Sequence, residues 1–249
     1  MTNDERGAIM LHLREVRLLA DQYPTRDRYP FNVAVLRETR GLTFSSPVTF
    51  FIGENGAGKS TLLEALAHRC QIYIWKGIER TRSENNPYEE TFFLYTEVTW
   101  ADGIFPVSFF SSQIFRNFAQ LVDEWEADNP GQIDYFGGKS LMTQSHGQSL
   151  MSFFKSRYKI KGIYLLDEPE TALSPKSQLE LLDLLQEMGR MGHAQFIIAT
   201  HSPILLACPG AVIYSFDHVP VKAIDYEDTE HYRLYKSFME NRSRYLTGG

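Results

Sequence analysis

Residues 53–61, Gly53-Glu54-Asn55-Gly56-Ala57-Gly58-Lys59-Ser60-Thr61, constrain this chain more than any other stretch. They fit the pattern G-x-x-x-x-G-K-[ST] at every fixed position. The β-branched and aromatic run Val48-Thr49-Phe50-Phe51-Ile52 leads in, and the helix-prone run Leu62-Leu63-Glu64-Ala65-Leu66-Ala67 leads out. Strand, glycine-rich turn and helix form the setting in which this pattern cradles phosphate. The glycines let backbone N–H groups turn inward around an anion. The helix opening at Lys59-Ser60 aims the positive end of its dipole at the same place. Residues Asn55, Gly56, Ala57, Gly58, Lys59, Ser60 and Thr61 are therefore expected to hold the phosphates of a nucleotide. Lys59 brings a full charge to the β- and γ-phosphates, and the Ser60 hydroxyl offers an oxygen to Mg2+.

The pattern around this loop predicts an α/β architecture. A half-buried strand is expected over 11–19, and short strands over Phe31–Leu36 and Gly41–Phe44. Another is expected from Gln71 to Trp75, after the helix that follows the loop, and residues Arg80 to Glu90 read as an exposed loop. Phe92 to Trp100 and Ile104 to Phe109 are rich in β-formers and flank Asp102-Gly103, which predicts a hairpin. Residues ~70–110 should then form a small antiparallel β lobe. Apolar positions at helical spacing run from Phe115 to Trp125, and Asn129-Pro130-Gly131 ends them. Ile133 to Lys139 is irregular, and a helix spans Leu150 to Tyr158, so 111–160 should form a short helical lobe.

Beyond that lobe, continuous apolar strands end at Leu166, Ala199 and Phe216, and helices alternate with them. Ser174-Pro175 marks a helix start, with Leu179, Leu182, Leu185 and Met188 as its apolar stripe and Gly189 as its end. The expected fold is a mostly parallel sheet covered by helices on both faces, with residues 1–249 forming a single domain.

Ligands of open α/β sheets bind at the carboxyl ends of the strands. Asp167 and Glu168 sit where an apolar strand stops, a costly place for two acids unless a cation or a reaction uses them. Asp167 can hold Mg2+, and Glu168 can orient and deprotonate an attacking water. His201 ends the next strand, where an imidazole can contact a γ-phosphate. Tyr29 or Phe31 could stack on an adenine, although a packing role is the better reading for either ring.

Composition limits the partners. The net charge of -6 lacks the overall electrostatic footprint of a nucleic-acid binder. Cys70 and Cys208 are far apart and lack metal-site spacing, which fits two structural thiols in a reducing compartment. The polar N-terminus lacks the apolar core of a signal peptide. No apolar run approaches the ~20 residues that cross a bilayer. A cytoplasmic location is expected.

Together GENGAGKST, LLDEPETALS and ATHSP resemble the ABC-type ATPases, the superfamily of transporter ATPases and of SMC-like and RecF-like proteins. The resemblance covers roughly residues 40–216. It implies a P-loop NTPase fold and hydrolysis of ATP with Mg2+. Lys59, Ser60 and Thr61 would bind phosphate and metal. Asp167 would be the Walker B carboxylate and Glu168 the catalytic base. Glu170 to Ser174 would form the D-loop, and His201 would be the switch histidine. Gln113 falls near the position of the Q-loop glutamine, a catalytic and metal-contacting residue. Ser145-His146-Gly147-Gln148 resembles the S-G-G-Q signature, with His146 in place of its first glycine and Gln144 where leucine is usual. In the family this element reaches the nucleotide of a second subunit. Ser145 and Gly147 would therefore complete the site of a partner copy in an ATP-bound homodimer.

Only about 30 residues separate Gln113 from Ser145, which leaves little room for the larger helical subdomain of transporter ATPases. No sustained heptads suggest a coiled-coil arm. The favoured expectation is a compact ATP-dependent dimerising switch acting on an unidentified effector. A transporter ATP-binding subunit and a nucleic-acid-linked ATPase of repair or defence are the alternatives.

Overall fold

In the computed structural model, residues 11–72, 74, 86–101, 103, 105–136, 138–143 and 146–246 are described. In chain order the elements are β1 (Leu13–Leu18), α1 (Ala34–Glu38), β2 (Gly41–Thr43), β3 (Val48–Ile52), α2 (Lys59–Arg69), β4 (Thr96–Trp100), β5 (Val107–Ser111), α3 (Ser112–Asp128) and α4 (His146–Arg157). They continue with β6 (Gly162–Asp167), α5 (Pro175–Arg190), β7 (Ala194–Ala199), α6 (Pro203–Leu206), β8 (Val212–Ser215), β9 (Lys222–Ile224), α7 (Glu230–Glu240) and α8 (Ser243–Leu246).

Six strands form a sheet in the order β5-β6-β7-β3-β8-β9. Five of them run parallel, and β9 alone is antiparallel to its neighbour. Strands β3, β6 and β7 are buried at every position, as a parallel sheet covered on both faces requires. Their side chains alternate between two cores. Phe50, Ile52, Tyr164, Leu166, Phe196 and Ile198 pack with Phe115, Leu150, Leu181 and Leu205 of the helices on one face. Phe51, Ile163, Leu165, Ile197 and Ala199 pack on the other face with Leu62, Leu63 and Leu66 of α2, and with Leu13, Val16 and Leu18 of a second sheet.

That second sheet is antiparallel, in the order β2-β1-β4. It corrects the expected hairpin, because β4 pairs with β1 while β5 joins the parallel sheet beside β6. Asp102 lies outside the described residues. The Asp-Gly signal is local, whereas strand pairing is decided by which edge offers backbone partners and an apolar face. The buried Gln195 ties the two sheets together. Its carbonyl accepts the N–H groups of His12 at 2.9 Å and Leu13 at 2.8 Å, and its amide donates to Leu13 O at 2.9 Å.

Five local expectations also change. Phe31–Leu36 is not a strand, because burial at 31, 35, 36 and 39 follows helical spacing and the chain turns into α1. Gln71 is not in a strand either. It takes the left-handed conformation (φ 60) that caps α2, and Ile72 N–H donates back to Ala67 O at 2.9 Å; Tyr73 and Trp75 lie outside the described residues. Phe92–Tyr95 forms a turn of 3-10 helix before β4 begins. In α5 the buried stripe is Leu181, Leu182, Leu185 and Met188, whereas Leu179 is 52% exposed. At 100° per residue it points roughly 160° away from Leu181. Gly189 lies within α5, which runs on to Arg190.

Candidate functional site

Sheet register gathers the polar residues. Ser111, Asp167, Ala199 and Phe51 lie side by side across β5, β6, β7 and β3. Each strand's carboxyl end therefore opens on the same rim. The phosphate loop follows β3, Glu168 follows β6, and Thr200-His201 follow β7.

The loop is held by close backbone approach. Gly58 has φ 97, and a Cβ there would come 3.1 Å from the Leu36 side chain of α1. Gly53 has φ 142, and a Cβ there would meet Asp217 Oδ1 at 3.0 Å. Asp217 holds the loop from the end of β8, accepting the Glu54 N–H at 2.8 Å. Helix α2 begins at Lys59 with no side chain capping its N-terminus, which leaves its first N–H groups for an anion.

Lys59 is buried and curls back on the loop, donating to Gly53 O at 2.6 Å and Glu54 O at 2.9 Å. Burial lowers its pKa, opposed by Glu168, Asp217, Asp167 and Glu170. A phosphate beside it would restore the preference for the charged form. The Ser60 hydroxyl donates to Asp167 Oδ1 at 2.9 Å. Burial pushes Asp167 up to about 6, with Ser60 opposing and Glu168 adding to the rise. Among the described residues no cluster of three or more His, Cys, Asp or Glu forms a metal cage. Two hard oxygens within hydrogen-bonding distance, one on a destabilised carboxylate, suit Mg2+ shared with nucleotide phosphates.

Glu168 adopts φ 48, an uncommon left-handed conformation for a residue with a side chain. Its backbone N–H still completes the ladder to Ala199 O at 2.9 Å. Its carboxylate Oε1 lies 3.9 Å from His201 Nε2. Glu170, three residues beyond Asp167, is half-buried, and its Oε1 accepts the backbone N–H of His201 at 2.7 Å. Burial raises its pKa. The turn from 168 to 174 is thereby fastened to the end of β7, and Ser174 caps α5 by accepting Ser177 N–H at 3.2 Å.

The remaining sequence candidates divide. Gln113 falls in the first turn of α3, immediately beyond the Ser111 rim, but its side chain is outside those described. Ser145 lies outside the described residues. Gly147 is in α4, and a Cβ there would stand 3.2 Å from Ala172 O, so the first turn of α4 abuts the 168–174 turn of the same chain. Tyr29 is partly exposed, and its hydroxyl lies 2.6 Å from Thr61 Oγ1. Phe31 is fully buried among Tyr23, Tyr95 and Phe92 and is a core residue. Sequence reasoning missed Asp217 and His231. Asp217 carries the same signal as Asp167, an acid just past an apolar strand; His231, in α7, carries none.

Two family models match parts of the chain, one described as "AAA domain, putative AbiEii toxin, Type IV TA system" over residues 149–207 and one as "AAA domain" over residues 31–68. A "Putative ABC transporter ATP-binding protein" of Methanosarcina acetivorans is 31% identical over 198 residues, covering 67% of this chain and 68% of the relative. The chain belongs to the ABC-type ATPases. This ABC-type ATPase is also 29% identical over 175 residues to the thiamine import ATP-binding protein ThiQ of Ruegeria sp., with 61% of this chain and 69% of the relative covered. Among solved structures it is similar to CbiO1 of Clostridium perfringens, with a TM-score of 0.48, 17% identity, and 92% and 95% of the two chains covered. As a member of this family the chain binds ATP and is an ATPase. No helix among the described residues is long and apolar enough to cross a membrane.

Proposed function

We propose that residues 1–249 act as a single ABC-type ATPase domain that hydrolyses Mg-ATP at this rim and closes on a second copy when ATP binds. The observation that carries this reading is the convergence of Lys59, the Ser60–Asp167 pair, Glu168 and His201 on one strand-end rim. Asn55 to Thr61 and the open N-terminus of α2 bind the phosphates, and Lys59 leaves the loop carbonyls for the β/γ-phosphate oxygens. Ser60, Asp167 and Gln113 would hold Mg2+, which would supply charge neutralisation on the phosphates. Glu168 takes the proton of the attacking water, and His201 donates to the γ-phosphate. Ser145 and Gly147 serve the nucleotide of the partner copy. The abutment of Gly147 on Ala172 supports a signature helix that moves with the 168–174 turn.

Light scattering tests the closure. Glu168→Gln protein should have the mass of a dimer with Mg-ATP and of a monomer with ADP; equal mass in both refutes ATP-driven dimerisation.

A second reading concerns the partner. The relatives named above are import or transporter ATP-binding proteins, which favours an energy-coupling subunit at the cytoplasmic face of a membrane transport component over a free-standing switch. The short segment between Gln113 and Ser145 favours the free-standing switch. Co-purification of the Glu168→Gln protein with an integral membrane protein would decide for the transporter; its recovery with a soluble protein alone would decide against it.

A further inference from the structure

His201 does not face the phosphate pocket alone. Behind it, His201 Nδ1 lies 3.2 Å from Nε2 of His231, a residue in the first turn of α7. The two rings are 5.3 Å apart between centroids and tilted by 50°. We propose that His231 is a positioning residue for the ATPase reaction: its Nε2–H donates to His201 Nδ1 and fixes the tautomer in which His201 presents Nε2–H to Glu168 and the phosphate pocket. The inference rests on the role given to His201 above.

Two neutral imidazoles joined by one hydrogen bond can be arranged in two ways. Burial lowers the pKa of both rings. Lys59 and His231 push His201 further down against Glu168 and Asp217. Asp217 and Glu230 oppose the fall at His231, and Lys59 adds to it. Both rings are therefore neutral at pH 7–8.

If His201 Nδ1–H were the donor, the proton of His231 would sit on Nδ1. That atom is buried with no hydrogen-bond partner among the described residues, so a buried N–H would go unpaired. The lone pair of His201 Nε2 would then also face the Glu168 carboxylate at 3.9 Å. With His231 Nε2–H as donor, the proton left without a hydrogen bond is that of His201 Nε2, and there the Glu168 carboxylate 3.9 Å away attracts it instead of facing a lone pair. His231 Nδ1 carries only a lone pair, and the buried, otherwise unpartnered His201 Nε2 carries a proton aimed toward an anion.

The scaffold behind His231 holds this geometry. The buried Thr229 caps α7 by accepting Tyr232 N–H at 3.1 Å. The Tyr226 hydroxyl donates to Pro203 O at 3.0 Å, tying the start of α7 to the segment just after His201. Glu170 holds the His201 backbone from the other side. The imidazole of His201 is thus oriented by a second chain segment more than 20 residues downstream, a partner of the kind that sets which ring nitrogen is protonated.

The first measurement is an imaging of ring protonation in the nucleotide-free parent protein at pH 8, by 15N–1H correlation spectroscopy of the imidazoles. His201 should be protonated at Nε2, with Nδ1 shifted upfield as a hydrogen-bond acceptor. That shift should be lost in His231→Phe and recovered in His231→Gln, whose amide N–H replaces the donor. The opposite tautomer in the parent overturns the proposal.

In steady-state kinetics His231→Phe should lower kcat roughly 10-fold, the equivalent of one hydrogen bond, with little change in KM for ATP. His231→Gln should recover most of that loss. In a His201→Ala background, His231→Phe should cost nothing further. Equal losses in the Phe and Gln variants, or a full additional loss in the double variant, would mean that His231 acts only as packing. Parental kcat in His201→Ala alone would remove the role given to His201, a failure separable from a wrong tautomer because the spectrum reports that directly.

Discussion

Asp167 should make the nucleotide-free protein less stable than it need be, and Asp167→Asn should reveal by how much. Its carboxylate is buried and has the Ser60 hydroxyl as its hydrogen-bond donor. The folded-state pKa is about 6 against an ordinary 3.8. About 6 minus 3.8 is roughly 2, and at 1.36 kcal/mol for each pKa unit the buried charge costs up to about 3 kcal/mol. The sign follows from proton counts. Between pH 3.8 and about 6 the folded state holds the proton more tightly than the unfolded state, so parental stability falls as pH rises through that window. Asparagine keeps the shape and an acceptor for Ser60 and never ionises. The variant should therefore match the parent below pH 4, gain on it between pH 4 and 6, and hold a constant advantage above. At 2–4 °C per kcal/mol for a chain of this size, the full effect is about 6–12 °C in Tm. Calorimetry or fluorimetry in metal- and nucleotide-free buffer at pH 5, 6.5 and 8 measures it. An Asn variant melting at or below the parent at pH 8 would refute the claim that this carboxylate is held at a cost. The same variant should lose Mg2+-dependent ATPase activity, the trade of stability for function expected of a metal ligand.

Lys59→Ala should abolish ATP binding by calorimetric titration, since it removes the one cation curled within the phosphate loop; parental affinity would refute the loop's assignment. Glu168→Gln should bind ATP and lose on the order of 100-fold or more in kcat, because an amide cannot take the proton, and near-parental turnover would remove it as the base. Gln195→Met should leave two backbone N–H groups and one carbonyl without their partner at the junction of the two sheets, costing about 3 kcal/mol or more. Its urea midpoint should fall with an unchanged slope, and a change below about 1 kcal/mol would mean that the junction rests on packing alone.

Local chemistry made much of this protein readable from its sequence. Residues 48–61 could be read because β-branched strand, glycine turn and helix start each follow from short-range sterics and hydrogen bonding. The buried runs Gly162–Asp167 and Ala194–Ala199 could be read because a doubly covered strand must be apolar throughout, which makes the acids at 167 and 168 conspicuous. Ser174-Pro175 announced α5 through the donors of its first turn. What the sequence withheld depends on partners far along the chain. Leaving β5 beside β6 and β4 beside β1 is a choice between sheet edges that a turn signal cannot make. Leu179 looked like core until the neighbours of α5 fixed which face is inward. Above all, His201 was legible at the end of its strand, but the ring that fixes its proton was not. His231 is one polar residue on an amphipathic helix, and only folding brings its Nε2 to within 3.2 Å of His201, because a hydrogen bond between distant segments is specified by the sum of the packing between them and by no local signal.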